Sequence, residues 1–273
     1  MVHTATDGAL LTSRPAIEAG TRRQMHRRQF IGGVLACGCG MRPARADRTS
    51  RFRSGCRVRW SAQDAAASAQ PGYKDTTGVA RYDGTVKAAL ASVHQVIGRE
   101  IDARLSFTDE NNAHFTAGDK PGDNAIAFGK ALLDRLQGSD FTLKVTCIAA
   151  HEVAHIFQFQ DGYFDLAQDD ATNRRNELMA DYFAGCCLAF IVNGGRRIRR
   201  GVIEAKKPSV QAAFDLMFSL GDDHFSSPDH HGTKQERRDA VDNGYDFAFE
   251  VAGGNATGDI SKDIMDNARF GLR

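Results

Sequence analysis

Residues 143–159 read LKVTCIAAHEVAHIFQF, an apolar stretch of helical length that contains two histidines four positions apart. An α-helix advances by about 100° per residue, so His151 and His155 project from one face, one turn apart. Two imidazoles in this arrangement can bind one metal ion, and Glu152, which lies between them in sequence, can reach a water molecule bound to that ion. The stretch therefore predicts a metal-binding helix, with Gly162 as its stop signal.

Two histidines leave a tetrahedral metal short of protein ligands, so the chain must supply a third. Glu177 and Asp181 lie four positions apart on a second predicted helix, 173–193. This spacing lets Glu177 bind the metal while Asp181 accepts the other N–H of a ligand histidine. Asp161 is the alternative third ligand, but it requires the first helix to break at a glycine, and Gln158 occupies that position. Glu177 is therefore favoured.

Three ordered motifs resemble those of the bacterial neutral zinc metallopeptidases, which belong to the gluzincin group of thermolysin-like zincins. HEVAHIFQ begins at His151, ELMADYFAG at Glu177 and HHGTKQER at His230. The corresponding family patterns are H-E-x-x-H-x-x-Q, E-L-x-A-D-x-F-A-G and H-G-T-x-x-x-R. The resemblance covers residues 151–237, and Tyr182 stands where the family commonly has cysteine.

The resemblance implies a zincin-like fold and one zinc ion per chain, with His151, His155 and Glu177 as its ligands. It also implies an enzyme that hydrolyses peptide bonds with a zinc-bound water, from which Glu152 takes a proton. A peptide or protein is then the substrate. The alternative is a zinc-binding envelope module that has the same fold but no proteolytic activity.

The third motif offers His231 as a second catalytic residue and Arg237 as a residue that supports the ligands. In related families the matching segment packs near the metal, which implies that an imidazole or guanidinium there stabilises the oxyanion of a tetrahedral intermediate. The segment also fits a helix start capped by Thr233, with Glu236 completing a capping box. Both interpretations can hold together, and the neighbouring His230 is a rival for the catalytic role.

The first 46 residues are predicted to be an export signal. Arg27-Arg28-Gln29-Phe30-Ile31 resembles the twin-arginine motif of bacterial signal peptides, and Ala44-Arg45-Ala46 offers an A-x-A cleavage site. The apolar stretch between them is too short and too rich in glycine to span a bilayer. The alternatives are a basic tail with incidental paired arginines and a lipoprotein anchored at Cys37. Translation can begin at Met1 or at Met25.

The net charge of +1 hides an uneven distribution. Residues 1–46 contain seven arginines and two acidic residues, which leaves 28 basic and 32 acidic residues, a net charge of −4, in 47–273. A mildly acidic body argues against general nucleic-acid binding, which needs a basic surface. Twin-arginine substrates fold in a reducing compartment, so no disulfide is presumed for the four cysteines that follow the signal. Cys56 is one of them. The other three are expected to be buried apolar residues: Cys147, Cys186 and Cys187.

The remaining patterns predict an α+β protein with a small mixed N-terminal part and a mostly helical C-terminal part. Residues 47–78 are predicted to be a linker or irregular lead-in, and 79–273 the folded domain. Short strands are predicted at 105–108 and 124–128, the second as an edge strand that pairs with an extended peptide, with an ordinary core strand as the alternative. Residues 111–123 are rich in turn residues. Further helical segments are predicted over 85–104, 130–137, 210–220 and 235–249.

Overall fold

The structure, a computed structural model, describes one compact unit that lies within Arg45–Arg273. Its class is α+β and mostly helical, as the sequence predicts. No helix among the described residues is long and apolar enough to cross a membrane. The export signal predicted in 1–46, including Cys37, lies outside the described residues. These residues are 72–117, 123–166, 172–196, 204, 206–223, 225, 230–253 and 258–271, together with the backbone of Arg53–Arg57.

Helices form most of this unit. In chain order they are α1 (Ala80–Ile97), α2 (Lys130–Arg135), α3 (Phe141–Gln160), α4 (Tyr163–Leu166), α5 (Arg174–Val192), α6 (Gln211–Leu220), α7 (Lys234–Gly253) and α8 (Ser261–Gly271). The predicted ranges hold to within four residues for α2, α3, α5, α6 and α7, whereas α4 and α8 have no predicted counterpart. Helix α1 lies five to seven residues earlier than predicted. It ends there because Gly98 adopts a left-handed conformation, with φ 69°, and its N–H caps the carbonyl of His94.

Four strands form one mixed sheet in the order β1-β3-β4-β2. Strand β4 pairs with β3 in antiparallel and with β2 in parallel orientation, so that Ile126 lies opposite both Phe115 and Leu105. Strand β1 pairs with β3 in antiparallel orientation, with Arg53 opposite Thr116. The strands are β1 (Arg53–Arg57), β2 (Arg104–Thr108), β3 (Asn112–Thr116) and β4 (Ala125–Gly129).

The prediction of an edge strand at 124–128 is wrong. Strand β4 lies inside the sheet, with hydrogen-bonded neighbours on both sides, and all five of its residues are buried. An apolar run of five residues with no polar alternation is typical of an interior strand, so the sequence did carry this signal. Because β2 and β3 occupy its two edges, β4 cannot pair with an extended peptide.

Two strands also occur where the sequence favours irregular structure. Residues 47–78 contribute β1, and the turn-rich segment 111–123 contains β3. Residues 112–116 read NAHFT, in which polar and apolar residues alternate, so the sequence did carry a short period-two signal that the surrounding turn residues obscured. Pairing with neighbours on both sides stabilises β3 in spite of the turn residues around it.

Helix α3 occupies the centre of the fold. It packs against α1, α5 and α6 and against strand β3. Every side chain from Val145 to Gln158 is buried, which is typical of a helix that is covered on all sides. The histidines and the glutamate of the H-E-x-x-H motif therefore lie in the core of the protein.

The described cysteines Cys147, Cys186 and Cys187 are free and buried, as predicted. Burial raises the pKa of Cys186 and Cys187, so both remain neutral thiols at ordinary pH. The side chain of Cys56 lies outside the described residues.

Helices α5 and α7 form the most extensive contact between elements, and two glycines allow their backbones to touch. A Cβ atom on Gly185 would lie 1.9 Å from the carbonyl oxygen of Val241, and one on Gly244 would lie 1.9 Å from that of Tyr182. Only glycine permits so close an approach. The crossing fixes α7 against the helix that carries Glu177.

We expect Gly185→Ala and Gly244→Ala each to lower the free energy of unfolding by about 2–3 kcal/mol, because the added methyl meets backbone that cannot move aside. Gly84→Ala is the matched control, since Gly84 also lies within a helix and its Cβ would meet no atom within 4 Å. That control should gain about 0.5–1 kcal/mol. Chemical denaturation checks all three variants. Equal stabilities would contradict the close crossing.

Candidate metal centre

His151 and His155 face each other inside the core, one helical turn apart on α3. Their rings are nearly perpendicular, with centroids 4.7 Å apart, and their Nε2 atoms are separated by 3.0 Å. Both side chains are fully buried, and so is that of Glu152 between them. Helix α3 thus directs two imidazole nitrogens toward one point.

Glu177 completes a group of three at this point. Its Oε2 lies 3.3 Å from Nε2 of His151, and its Oε1 lies 3.5 Å from Nε2 of His155. One ligand atom from each residue lies within 4.8 Å of the others, and the group could hold a metal ion. Helix α5 brings Glu177 here because it packs directly against α3.

Asp161, the alternative third ligand, is engaged elsewhere. It caps the C-terminal end of α3, where the Arg99 guanidinium binds its two carboxylate oxygens at 2.6 and 2.9 Å. The same guanidinium lies over the ring of Phe157, 4.4 Å from the ring centroid. Asp161 therefore anchors the end of α3, and the three-residue group is built with Glu177.

Asp181 and Arg237 support the first histidine. Oδ1 of Asp181 accepts a hydrogen bond from Nδ1 of His151 at 2.8 Å. Two guanidinium nitrogens of Arg237 donate to the two Asp181 oxygens at 2.7 and 2.8 Å. All three side chains are buried, so Arg237 supplies the counter-charge that a buried carboxylate needs. The paired hydrogen bonds also fix the orientation of the carboxylate.

Gln158 supports the second histidine, a role that the sequence analysis assigns to no residue. Its Oε1 lies 2.7 Å from Nδ1 of His155, and its Nε2 donates to the carbonyl oxygen of Asn176 at 2.7 Å. Asn173 was also missed, and its Nδ2 donates to Oε1 of Glu177 at 3.1 Å. The available signal was helical spacing, because each residue lies three or four positions from the ligand that it contacts.

The contacts at Nδ1 decide where the ring protons lie. The Asp181 carboxylate and Oε1 of Gln158 can only accept hydrogen bonds, so both Nδ1 atoms carry protons. In a neutral imidazole the Nε2 atom then offers a lone pair. In this tautomer two Nε2 lone pairs and the Glu177 carboxylate face one another, and a metal ion could be held among them.

The chain has no match among models of protein families, curated proteins or solved structures. The chemistry of the site is therefore inferred from the described residues.

The protonation states of the ligands favour metal binding. Burial lowers the pKa of His155 to about 4. Burial acts to raise the pKa of Glu177, but electrostatic attraction to the neighbouring imidazoles, His231 first, outweighs it and holds that pKa well below its usual range. Both shifts leave the ligand atoms without protons at neutral pH, which is the form that binds a metal.

His231 lies beside this group, whereas His230 is held by another partner. Nδ1 of His231 lies 3.2 Å from Oε2 of Glu177, and 22% of its side chain is exposed. His230 is buried, and its Nδ1 lies 2.6 Å from Oδ1 of Asp222. Asp222 also accepts the backbone N–H of His231 at 3.1 Å, so it orients the segment that carries both histidines. His231 is therefore the partly exposed histidine that lies beside the three-residue group.

The capping interpretation of the third motif is correct. The N–H of Thr233 donates to Oε2 of Glu236 at 2.9 Å, and the N–H of Glu236 donates to Oγ1 of Thr233 at 3.2 Å. Arg174 at the start of α5 pairs with Glu236, and this hydrogen bond is the main reason that the pKa of Glu236 falls to about 2. The ion pair ties the first turns of α5 and α7 together, which keeps His231 close to Glu177.

Proposed function

We propose that the chain is a zinc-dependent metallopeptidase with a zincin-like fold. The observation that carries the proposal is the group of ligand atoms from His151, His155 and Glu177, which face one another in the core and could hold a metal ion. Glu152, which can serve as a base, is buried on the same helix between the two histidines. The ordered motifs that resemble the bacterial neutral zinc metallopeptidases support the same function, with a peptide or protein as the substrate.

The donor set suits zinc. Two imidazole nitrogens and one carboxylate oxygen form a combination found in catalytic zinc sites, which keep a fourth position for water or substrate. Calcium and magnesium prefer ligands that are all oxygen. When bound here, zinc would lower the pKa of a water molecule and polarise a peptide carbonyl.

The surrounding residues supply the remaining chemistry. We assign Glu152 as the general base, which takes a proton from the attacking water and passes it to the leaving amine. His231 would donate a hydrogen bond to the carbonyl oxygen under attack, because its partly exposed imidazole lies next to Glu177. Arg237 is already bound to Asp181 through two nitrogens, so its role is to hold that carboxylate against His151.

One observation favours a second function. His231 lies 3.2 Å from Glu177, as close as the two predicted ligand histidines. As a fourth ligand, His231 would close the site, as in structural zinc centres, and leave no position for water. The chain would then be a zinc-binding envelope module without proteolytic activity.

We expect the wild-type protein to bind one zinc ion and Glu152→Gln to retain it while hydrolysis falls by about 10²–10⁴-fold, because only the proton acceptor is lost. Metal analysis and a mass-spectrometric screen for cleaved peptides measure the two properties. Glu100→Gln, at an exposed glutamate, is the matched control and should keep both. A wild-type protein that binds no zinc on titration would contradict the metal site. Identical cleavage by wild type and Glu152→Gln would contradict the peptidase.

His231→Ala distinguishes the peptidase from the closed zinc module. If His231 stabilises the oxyanion, zinc affinity stays unchanged and kcat/KM falls by about 10²–10³-fold. If His231 is a fourth ligand, zinc affinity itself falls and the wild type shows no peptidase activity. Competition with a chelator and the cleavage screen measure the two effects. His94→Ala, at an exposed histidine near the end of α1, is the control.

We also propose that the protein is exported, on the basis of Arg27-Arg28 and the A-x-A site at Ala44-Arg45-Ala46. Replacing both arginines with lysine should retain the protein in the cytoplasm, because the signal requires the arginine pair. Fractionation of bacterial cells followed by N-terminal sequencing checks the location and the cleavage site. A wild-type protein found uncleaved in the cytoplasm would contradict export, and a lipid on Cys37 would instead identify a lipoprotein.

A further inference from the structure

The side chains of Gln158, Asn176 and Asn173, together with the backbone carbonyl of Asn176, connect two of the proposed ligands. Gln158 contacts Nδ1 of His155 through Oε1 and the Asn176 carbonyl through Nε2, each at 2.7 Å. Nδ2 of Asn176 donates to Oδ1 of Asn173 at 3.0 Å, and Nδ2 of Asn173 donates to Oε1 of Glu177 at 3.1 Å. We call Gln158, Asn176 and Asn173 the amide chain. It runs from the ligand on α3 to the ligand on α5.

The direction of each hydrogen bond in the amide chain is determined by its partner. A backbone carbonyl only accepts, so the atom of Gln158 that faces Asn176 must be nitrogen. The oxygen of Gln158 then faces His155 and requires a proton on Nδ1, which leaves the Nε2 lone pair free. At the other end the Glu177 carboxylate only accepts, so Asn173 presents its nitrogen to it. The His155 tautomer and the amide orientations are thus assigned from the acceptors that they face.

The two histidines therefore have supports of different charge. Asp181 carries a negative charge that Arg237 balances, whereas Gln158 is neutral and fully buried. A second carboxylate at position 158 would place another negative charge beside Glu177, and a buried charge without a counter-ion is strongly unfavourable. A carboxamide orients His155 without adding charge to the core.

We propose that Gln158, Asn176 and Asn173 are positioning residues that fix the His155 tautomer and the Glu177 carboxylate before the metal binds. This inference rests on the proposed metal site. It adds that neutral amide groups hold two of the three ligands, His155 and Glu177, in place before the metal binds. Hydrogen bonds of this kind to metal ligands typically change metal affinity by about 10–100-fold. The same bonds also fix the geometry of the ligands in the metal-free protein. Their effect on the His155 tautomer can therefore be measured without an activity assay.

Gln158→Met tests the inference because methionine matches glutamine in length but neither donates nor accepts as an amide does. Gln160→Met is the matched control, with the same substitution on the same helix at an exposed residue that contacts Arg99. Nitrogen NMR of the histidine rings in the metal-free proteins reports the His155 tautomer. Chelator competition then gives zinc affinity, and thermal unfolding shows that each variant is folded.

We expect the wild type and Gln160→Met to show His155 with its proton on Nδ1. Gln158→Met should lose this single tautomer and bind zinc about 10–100-fold more weakly. If Gln158→Met does not fold, Asn173→Ala takes its place, because the Asn173 side chain makes no capping hydrogen bond to α5. It should weaken zinc binding by about 10-fold through the loss of the Glu177 contact.

The outcomes separate this inference from the proposed function. A wild-type protein without zinc affinity would overturn the metal site itself. Normal zinc binding by the wild type, together with an unchanged tautomer and affinity in Gln158→Met or an unchanged affinity in Asn173→Ala, would overturn the amide chain alone.

Discussion

A carboxylate and two imidazoles lie at the centre of an apolar helical core, and each of their polar atoms must find a partner there. Bulk water does not reach them, because His151, His155 and Glu177 are fully buried. Leaving such groups without partners would be strongly unfavourable. The rest of the site follows from this constraint: a counter-charge from Arg237 on one side, neutral amides on the other, and ligand atoms placed so that they could hold a metal ion.

The constraint explains why the site draws on three helices. Helix α3 alone supplies the histidines, and α5 supplies Glu177 and Asp181, but neither provides the positive charge that balances Asp181. That charge comes from Arg237 in the first turn of α7. The first turns of α5 and α7 must therefore meet, and the ion pair between Arg174 and Glu236 holds them together.

The sequence predicted the parts of the site that local spacing encodes. His151 and His155 share a helix face, as do Glu177 and Asp181, so the group could be assembled from two periodic patterns. Which of His230 and His231 lies beside Glu177 could be seen only in the structure, because Asp222, which holds His230, lies eight residues earlier in the chain. In the sheet, the polar–apolar alternation of β3 extends over only five residues in a turn-rich segment, so the strand depends on pairing with β1, which is distant in sequence. The helical spacing of Gln158 from His155 could be read from the sequence, but its role also depends on the Asn176 carbonyl of another helix.

The glycine crossing of α5 and α7 makes the metal group sensitive to changes far from it. Gly185 lies four residues from Asp181, and Gly244 lies seven residues from Arg237. At a rise of about 1.5 Å per residue, these distances are lever arms of about 6 and 10 Å. A tilt of only about 6° between the helices would displace the Arg237 end by about 1 Å, enough to break a bidentate ion pair. A methyl group at the crossing would thus shift the residues of the candidate metal centre without touching any of them.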